Sequence, residues 1–129
     1  MEKGIKVLLV DDQDDFRKLM KFWLESKGSI VFEAPEGKTG VKMVKEKKPD
    51  IVFMDLHMPV MGGLEALKKI REFNKDVPII VISAYTHDPG AKEALEYGIS
   101  GVFNKGNNFE EALPLLESAL RTHKKLKKD

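Results

Sequence analysis

The chain has 129 residues, 42% of them apolar and 33% charged, and its 22 basic side chains nearly balance 21 acidic ones for a net charge of +1. That length fits one ordinary core and not two, and the near-neutral balance argues against a chain-wide nucleic-acid or anionic-membrane footprint. Without cysteine there are no disulfides, thiolate metal sites or cysteine nucleophiles. No apolar run approaches the roughly 20 residues that span a bilayer. MEKGIKVLLV lacks a signal peptide's small-residue cleavage region, so the expected location is the cytoplasm.

In chain order, apolar runs stand at Ile5–Val10, Ile30–Ala34, Ile51–Met54, Val77–Ile82 and Gly101–Phe103. Each lacks alternation, as expected for strands covered on both faces. Helical spacing fills the intervals. Phe16, Leu19, Met20, Trp23 and Leu24 share one stripe, with Gly28 as the expected C-terminal cap. Asp14 and Asp15 are expected to cap its start. Val41 and Val44 mark a second helix stopped by Lys47, Lys48 and Pro49, and Leu64, Leu67 and Ile70 a third. Asp88 and Pro89 fit the cap and first residue of a fourth, through Ala91, Ala94 and Leu95. The fifth carries Leu113, Leu116 and Leu120. Either it begins near Pro114, the reading favoured here, or Phe109–Leu113 forms a separate turn. Trp23 and the phenylalanines are expected in the core or in partly exposed packing, and His87 and His123 at the surface. Five strands alternating with five helices imply right-handed crossovers and a parallel sheet covered on both faces. Residues 1–120 form one domain, and 121–129 a basic helix end or tail with Arg121 and four lysines against Asp129.

Ligands of such a sheet gather beyond the carboxyl ends of its strands. The first strand delivers Asp11 and Asp12 there, the third Asp55, the fourth Ser83 and the fifth Lys105. Three converging carboxylates repel, and one takes up a proton unless a cation compensates. An all-oxygen set suits a hard ion, Mg²⁺ first and Mn²⁺ as an alternative. Lys105 adds a mobile positive charge, Ser83 a hydroxyl, and a carboxylate serves as nucleophile toward phosphorus. Transfer of a phosphoryl group needs mainly alignment and charge neutralisation.

These residues lie in LLVDD (8–12), FMDLHMPVMGG (53–63), VISA (81–84) and FNKG (103–106). With that spacing the chain resembles the receiver domains of two-component response regulators over essentially its whole length, and single-domain chemotaxis-type regulators in size. The resemblance implies a flavodoxin-like (βα)5 fold with strand order 2-1-3-4-5. It implies Asp55 as phosphoacceptor and Mg²⁺ held by Asp12, Asp55 and the backbone carbonyl of His57, with Asp11 assisting through a water. Lys105 would pair with the phosphoryl group, and Ser83 would move toward it as the switch hydroxyl, dragging the loop before Pro89 and Gly90. His57 and Tyr85 flank the water path and would tune phosphoryl lifetime. The implied donor is a histidine kinase or phosphotransfer protein. The implied output is a protein target or linked effector domain, or a homodimer, through the fourth helix, fifth strand and fifth helix. No direct nucleic-acid or membrane contact is expected, and the only catalysis expected is of the chain's own phosphorylation and dephosphorylation.

Two positions depart from the family pattern. Gly106 replaces the usual proline after the lysine, so a trans bond is expected there, since a cis non-proline bond costs about 2.5–4 kcal/mol. Val102 replaces the usual aromatic and has no ring to follow the switch hydroxyl, while alternation turns Phe103 to the opposite face. Other classes fit less well. A flavin-binding module wants a phosphate loop where Asp11–Asp15 stand, and a dehalogenase-type phosphatase wants a second acid where His57 stands. The alternative kept is a receiver-like interaction module that acts without phosphorylation.

Overall fold

Five short apolar runs become strands because each is sandwiched. The computed structural model describes residues 3–85 and 87–122. Its elements are β1 (Lys6–Val10), α1 (Asp14–Ser26), β2 (Ile30–Ala34), α2 (Gly37–Lys47), β3 (Ile51–Asp55), α3 (Gly63–Phe73), β4 (Ile79–Ser83), α4 (Pro89–Ala94), β5 (Gly101–Asn104) and α5 (Ala112–Thr122). All neighbouring strands are parallel, in the order β2-β1-β3-β4-β5. Successive strand residues point to opposite faces. Val7, Leu9, Ile51, Phe53, Ile80 and Ile82 therefore pack with Met20 and Leu24 of α1 and Leu116 and Leu120 of α5. Leu8, Val10, Val52, Met54, Ile79 and Val81 pack on the other face with Val44, Leu67, Ile70 and Ala94 from α2, α3 and α4. The fold is the expected flavodoxin-like one.

Burial on both faces holds for the central strands and fails at the edges. β3 and β4 are buried throughout, whereas β2 and β5 each have one neighbour and are only partly covered. The stripe of α1 is also narrower than its spacing suggests: Leu19 is exposed, lying about 60° of helical rotation outside Phe16. Phe22 is exposed too, outside the packing expected of the phenylalanines. Phe16, Trp23 and Phe103 instead gather around Phe109, at ring separations of 5.7, 6.1 and 6.4 Å.

Helix ends follow local chemistry. Gln13 is the N-cap of α1, so Asp14 and Asp15 occupy the first turn, where the helix dipole favours negative charge, and not the cap itself. Gly28 closes the helix exit with φ +95°, a backbone region that glycine adopts freely. Asp88 caps α4 as expected, accepting from the Gly90 N–H at 2.8 Å, and Pro89 opens the helix. Both readings of the fifth helix hold in part. Phe109–Glu111 is a separate 3-10 turn, and Pro114 sits in the first turn of α5, where its missing N–H has no helical partner to lose. α5 runs two residues past the expected domain end, and His123 and the rest of the basic tail lie outside the described residues. Among the described residues no helix is long and apolar enough to cross a membrane.

One glycine fixes how closely α3 approaches β3. A Cβ on Gly63 would stand 2.3 Å from the Asp55 carbonyl oxygen and 2.6 Å from the Leu56 Cα, both backbone atoms that cannot swing aside. Gly63→Ala is expected to cost about 1–3 kcal/mol, the usual range for overpacking. The check is a urea titration: the midpoint falls while the slope stays that of the parent.

Candidate functional site

β1 and β3 are neighbours at the centre of the sheet, on either side of the point where strand order reverses. Their register pairs Val10 with Met54, and one residue further on Asp11 stands level with Asp55. Asp12 follows at the start of the loop. Asp11, Asp12 and Asp55 each offer a carboxylate oxygen within 4.8 Å of the others. Asp11 and Asp55 are buried and Asp12 is exposed, so the cluster opens to solvent on one side.

Lys105 follows β5, where its N–H donates to the Ser83 carbonyl at 2.8 Å. Its side chain crosses the sheet edge to the acids, with Nζ 2.9 Å from Asp11 Oδ2 and 3.4 Å from Asp55 Oδ2. The ammonium also lies over the Phe16 ring at 4.9 Å and donates to Gln13 Oε1. The bond to Gly106 is trans, as expected, and the Gly106 N–H is held by the Asn104 side chain.

Burial, then repulsion from Asp11, pushes the Asp55 carboxyl up to about 7, against the pull of Lys105 and of the His57 N–H, which donates to Asp55 Oδ1 at 3.2 Å. One lysine thus leaves the crowding only partly relieved. Asp11 Oδ2 is fully buried and makes no hydrogen bond; its contact with Lys105 is an ion pair outside hydrogen-bond geometry. An orphaned carboxylate oxygen, two neighbouring carboxylates and an open side form a donor set that fits a hard divalent cation.

Ser83 is buried at the end of β4, and its hydroxyl is held by Asp88, donating to Oδ2 at 2.6 Å. The same hydroxyl oxygen accepts from the Tyr85 N–H at 3.0 Å. His57 also reaches Asp88: Nε2 lies 2.6 Å from the same Oδ2, and the imidazole meets the Tyr85 ring edge-on at 5.2 Å. His57 and Tyr85 thus stand together beside the site, half and largely exposed, as an outer wall. Val102 is 42% exposed, and Phe103 is buried on the opposite side of β5. His87 is exposed, as expected.

Three supporting residues escape the sequence reading. Gln13 holds the lysine ammonium. Arg17 is buried, and its guanidinium donates to the Asp11 carbonyl at 2.7 Å, to Asp14 at 2.6 Å and to Glu33 at 3.0 Å, fixing the acidic loop onto α1 and β2. A signal for Arg17 exists: it lies about 20° from Leu24 on the helical wheel, an inward place for a charge. Asp88 is recognisable locally only as a cap. The reach of its second oxygen depends on how the fold sets Asp88 against Ser83 and His57, which no local pattern reveals.

A parallel sheet with an acid cluster and a lysine at its switch point defines a class of small signalling domain, and comparison with known proteins agrees. The family model of the response regulator receiver domain matches residues 7–117. Over 126 residues the chain is 38% identical to the transcriptional regulatory protein YdfI of Bacillus subtilis, a match that covers 96% of this chain and 59% of that protein. It is 38% identical over 100 residues to the chemotaxis protein CheY of Halobacterium salinarum, 78% of this chain and 83% of that one. The structure of chemotaxis protein CheY4 of Vibrio cholerae superposes with a TM-score of 0.85 at 29% identity, covering 91% of this chain and 99% of the other. The chain belongs to the response regulator receiver domain family of two-component signalling. It spans about six-tenths of the length of YdfI and about half that of the response regulator GacA of Pseudomonas aeruginosa.

The raised Asp55 carboxyl has a consequence for stability. Its folded pKa of about 7 exceeds the unfolded value near 3.9, so between these limits the folded chain holds a proton that the unfolded chain releases. Stability therefore falls as pH rises from about 4 to 7, and the loss is complete above 7. In EDTA, Asp55→Asn is expected to melt several degrees higher than the parent at pH 8, with the gap shrinking toward pH 4.5. Thermal melts across that range check it; a gap independent of pH contradicts the assignment.

Proposed function

We propose that this chain is a phosphoacceptor switch with Asp55 as the residue modified. The observation that carries the reading is the meeting of Asp11, Asp12 and Asp55 with Lys105 at one sheet edge. An oxygen of the ionised Asp55 carboxylate attacks phosphorus. The new bond is carboxylate O–P, and the bond broken joins phosphorus to the donor's nitrogen or oxygen. The donor is a histidine kinase or phosphotransfer protein, as in similar regulators, with a small acyl phosphate as substitute.

The ionised form is disfavoured by burial and by Asp11, so attack at neutral pH calls for added positive charge. Mg²⁺, with Mn²⁺ as a substitute, would be held by Asp12, Asp55 and the backbone carbonyl of His57, with Asp11 acting through a water. When bound, the ion supplies charge neutralisation between these carboxylates and the phosphoryl oxygens. Lys105 stays between Asp11 and Asp55 and pairs with an incoming phosphoryl oxygen. Ser83 exchanges its present acceptor for another. His57 and Tyr85, packed edge to face, narrow the approach of water to the acyl phosphate.

The output surface is formed by α4, β5 and α5. Leu95, in the 3-10 turn that extends α4, and Val102 of β5 are exposed there, apolar side chains available to a protein target, a linked effector domain or a second copy. The chain does no chemistry beyond its own phosphorylation and dephosphorylation, and works in the cytoplasm without direct contact to nucleic acid or membrane.

Intact mass after incubation with acetyl phosphate tests the reading. The parent is expected to gain one phosphoryl unit with Mg²⁺ and none in EDTA; Asp55→Asn is expected to gain none, and Lys105→Ala at least tenfold less, in line with removal of a transition-state charge partner. If acetyl phosphate leaves no label and beryllofluoride with Mg²⁺ produces no binding, the chain is an interaction module that acts without phosphorylation.

A further inference from the structure

The carboxylate of Asp88 lies outside the acid cluster, yet it gathers three groups from three segments. Oδ2 receives the Ser83 hydroxyl from the end of β4 and His57 Nε2 from the loop after β3, each at 2.6 Å, and Oδ1 receives the Gly90 N–H that opens α4, at 2.8 Å. Its side chain is 2% exposed. Burial alone would raise its pKa, but the hydrogen bonds from Ser83, His57 and Gly90 outweigh that and hold it below the ordinary carboxylate range. A buried carboxylate so completely satisfied holds its donors firmly.

Ser83 has a single O–H proton. A hydroxyl that donates to Asp88 cannot also donate to a group on Asp55, so the two acceptors compete for it. The Tyr85 carbonyl, 3.1 Å from Ser83 Oγ, is the weaker third acceptor. We propose that Asp88 is a positioning residue that latches Ser83 away from the phosphorylation site and, because it also caps α4, relays release of that hydroxyl to the start of the helix. This rests on the phosphoacceptor reading of Asp55. When a phosphoryl oxygen takes the Ser83 proton, Asp88 Oδ2 keeps only His57, and a buried acceptor that loses a charge-assisted bond is driven to rearrange with its segment. The segment concerned is Asp88 itself and the first turn of α4. Val102 supplies no ring to carry the same message, so the polar route through Asp88 takes that place.

The probe is beryllofluoride with Mg²⁺, a phosphoryl mimic, titrated by calorimetry into the full chain. Asp88→Ser keeps a capping oxygen for Gly90 but lacks the second oxygen that reaches Ser83 and His57. It is expected to bind the mimic about tenfold more tightly than the parent, since the competing bond to a charged acceptor is gone. Loss of a negative charge would also tighten an anion, so the comparison is repeated in Ser83→Ala, where the latch predicts that Asp88→Ser changes nothing. Equal tightening in both backgrounds overturns the latch and leaves a charge effect; no tightening in either overturns it as well. If circular dichroism shows Asp88→Ser unfolded, Asp88→Asn, which keeps the cap and the shape, is expected to tighten about threefold, again only when Ser83 is present. A parent that neither binds the mimic nor takes up phosphoryl overturns the reading of Asp55, and the latch with it.

Discussion

Crowding of carboxylates at the switch point of the sheet is the constraint on which the rest depends. Asp11 and Asp55 are buried side by side because β1 and β3 are adjacent and end at the same level. Their repulsion is relieved only in part by one lysine that must arrive from β5, across β4. The strand order therefore has an electrostatic as well as an architectural effect: it carries the cation to the acids, with the ammonium over the Phe16 ring. A fold that separated β1 from β3 would leave three ordinary surface acids.

The surrounding polar contacts follow from the same constraint. A loop carrying Asp11, Asp12, Asp14 and Asp15 would drift outward under its own charge. Arg17 ties it down by donating to the Asp11 carbonyl while pairing with Asp14 and Glu33. Glu33 in turn receives Lys18 and Lys21, so a partly covered edge strand ends in a charge network that anchors the loop beside it. In the loop after β3, Val60 adopts φ 66° although it is β-branched and fully exposed, a conformation that costs about 1–2 kcal/mol for such a residue. It lies three residues before Gly63, where α3 begins directly against the β3 backbone.

Much of this is legible in the amino-acid sequence. Asp11, Asp12, Asp55 and Lys105 each follow an apolar run closely, so the assignment of strands alone sends them to one edge. The caps at Gly28 and Asp88 rest on backbone chemistry that local residues decide. What is not legible depends on relations between distant segments. Nothing in a run such as Ile30–Ala34 tells whether it has one neighbour or two, and its partial exposure follows from lying at the edge. Leu19 matches the apolar spacing, and only the placement of the neighbouring elements shows that the core ends short of it. The direction of the Ser83 hydroxyl is set by a carboxylate five residues on, a contact that no propensity specifies.

The position of Asp88 bears on how a small charge event reaches the surface. Phosphorylation adds between one and two negative charges at a site already rich in them, and the added field is strongest within a few ångströms. α4 is only six residues long before a 3-10 turn extends it, so little of its own hydrogen bonding resists displacement at its first turn. In receivers with an aromatic on β5, a ring that changes place transmits the event through packing. Here that position is a valine, 42% exposed, with no ring to move. A hydrogen-bonded carboxylate shared by β4, the loop after β3 and the start of α4 is a sufficient substitute. The structure holds it with Ser83 bound; in the proposed switch the second arrangement is Ser83 released, and the group on Asp55 biases the choice between them.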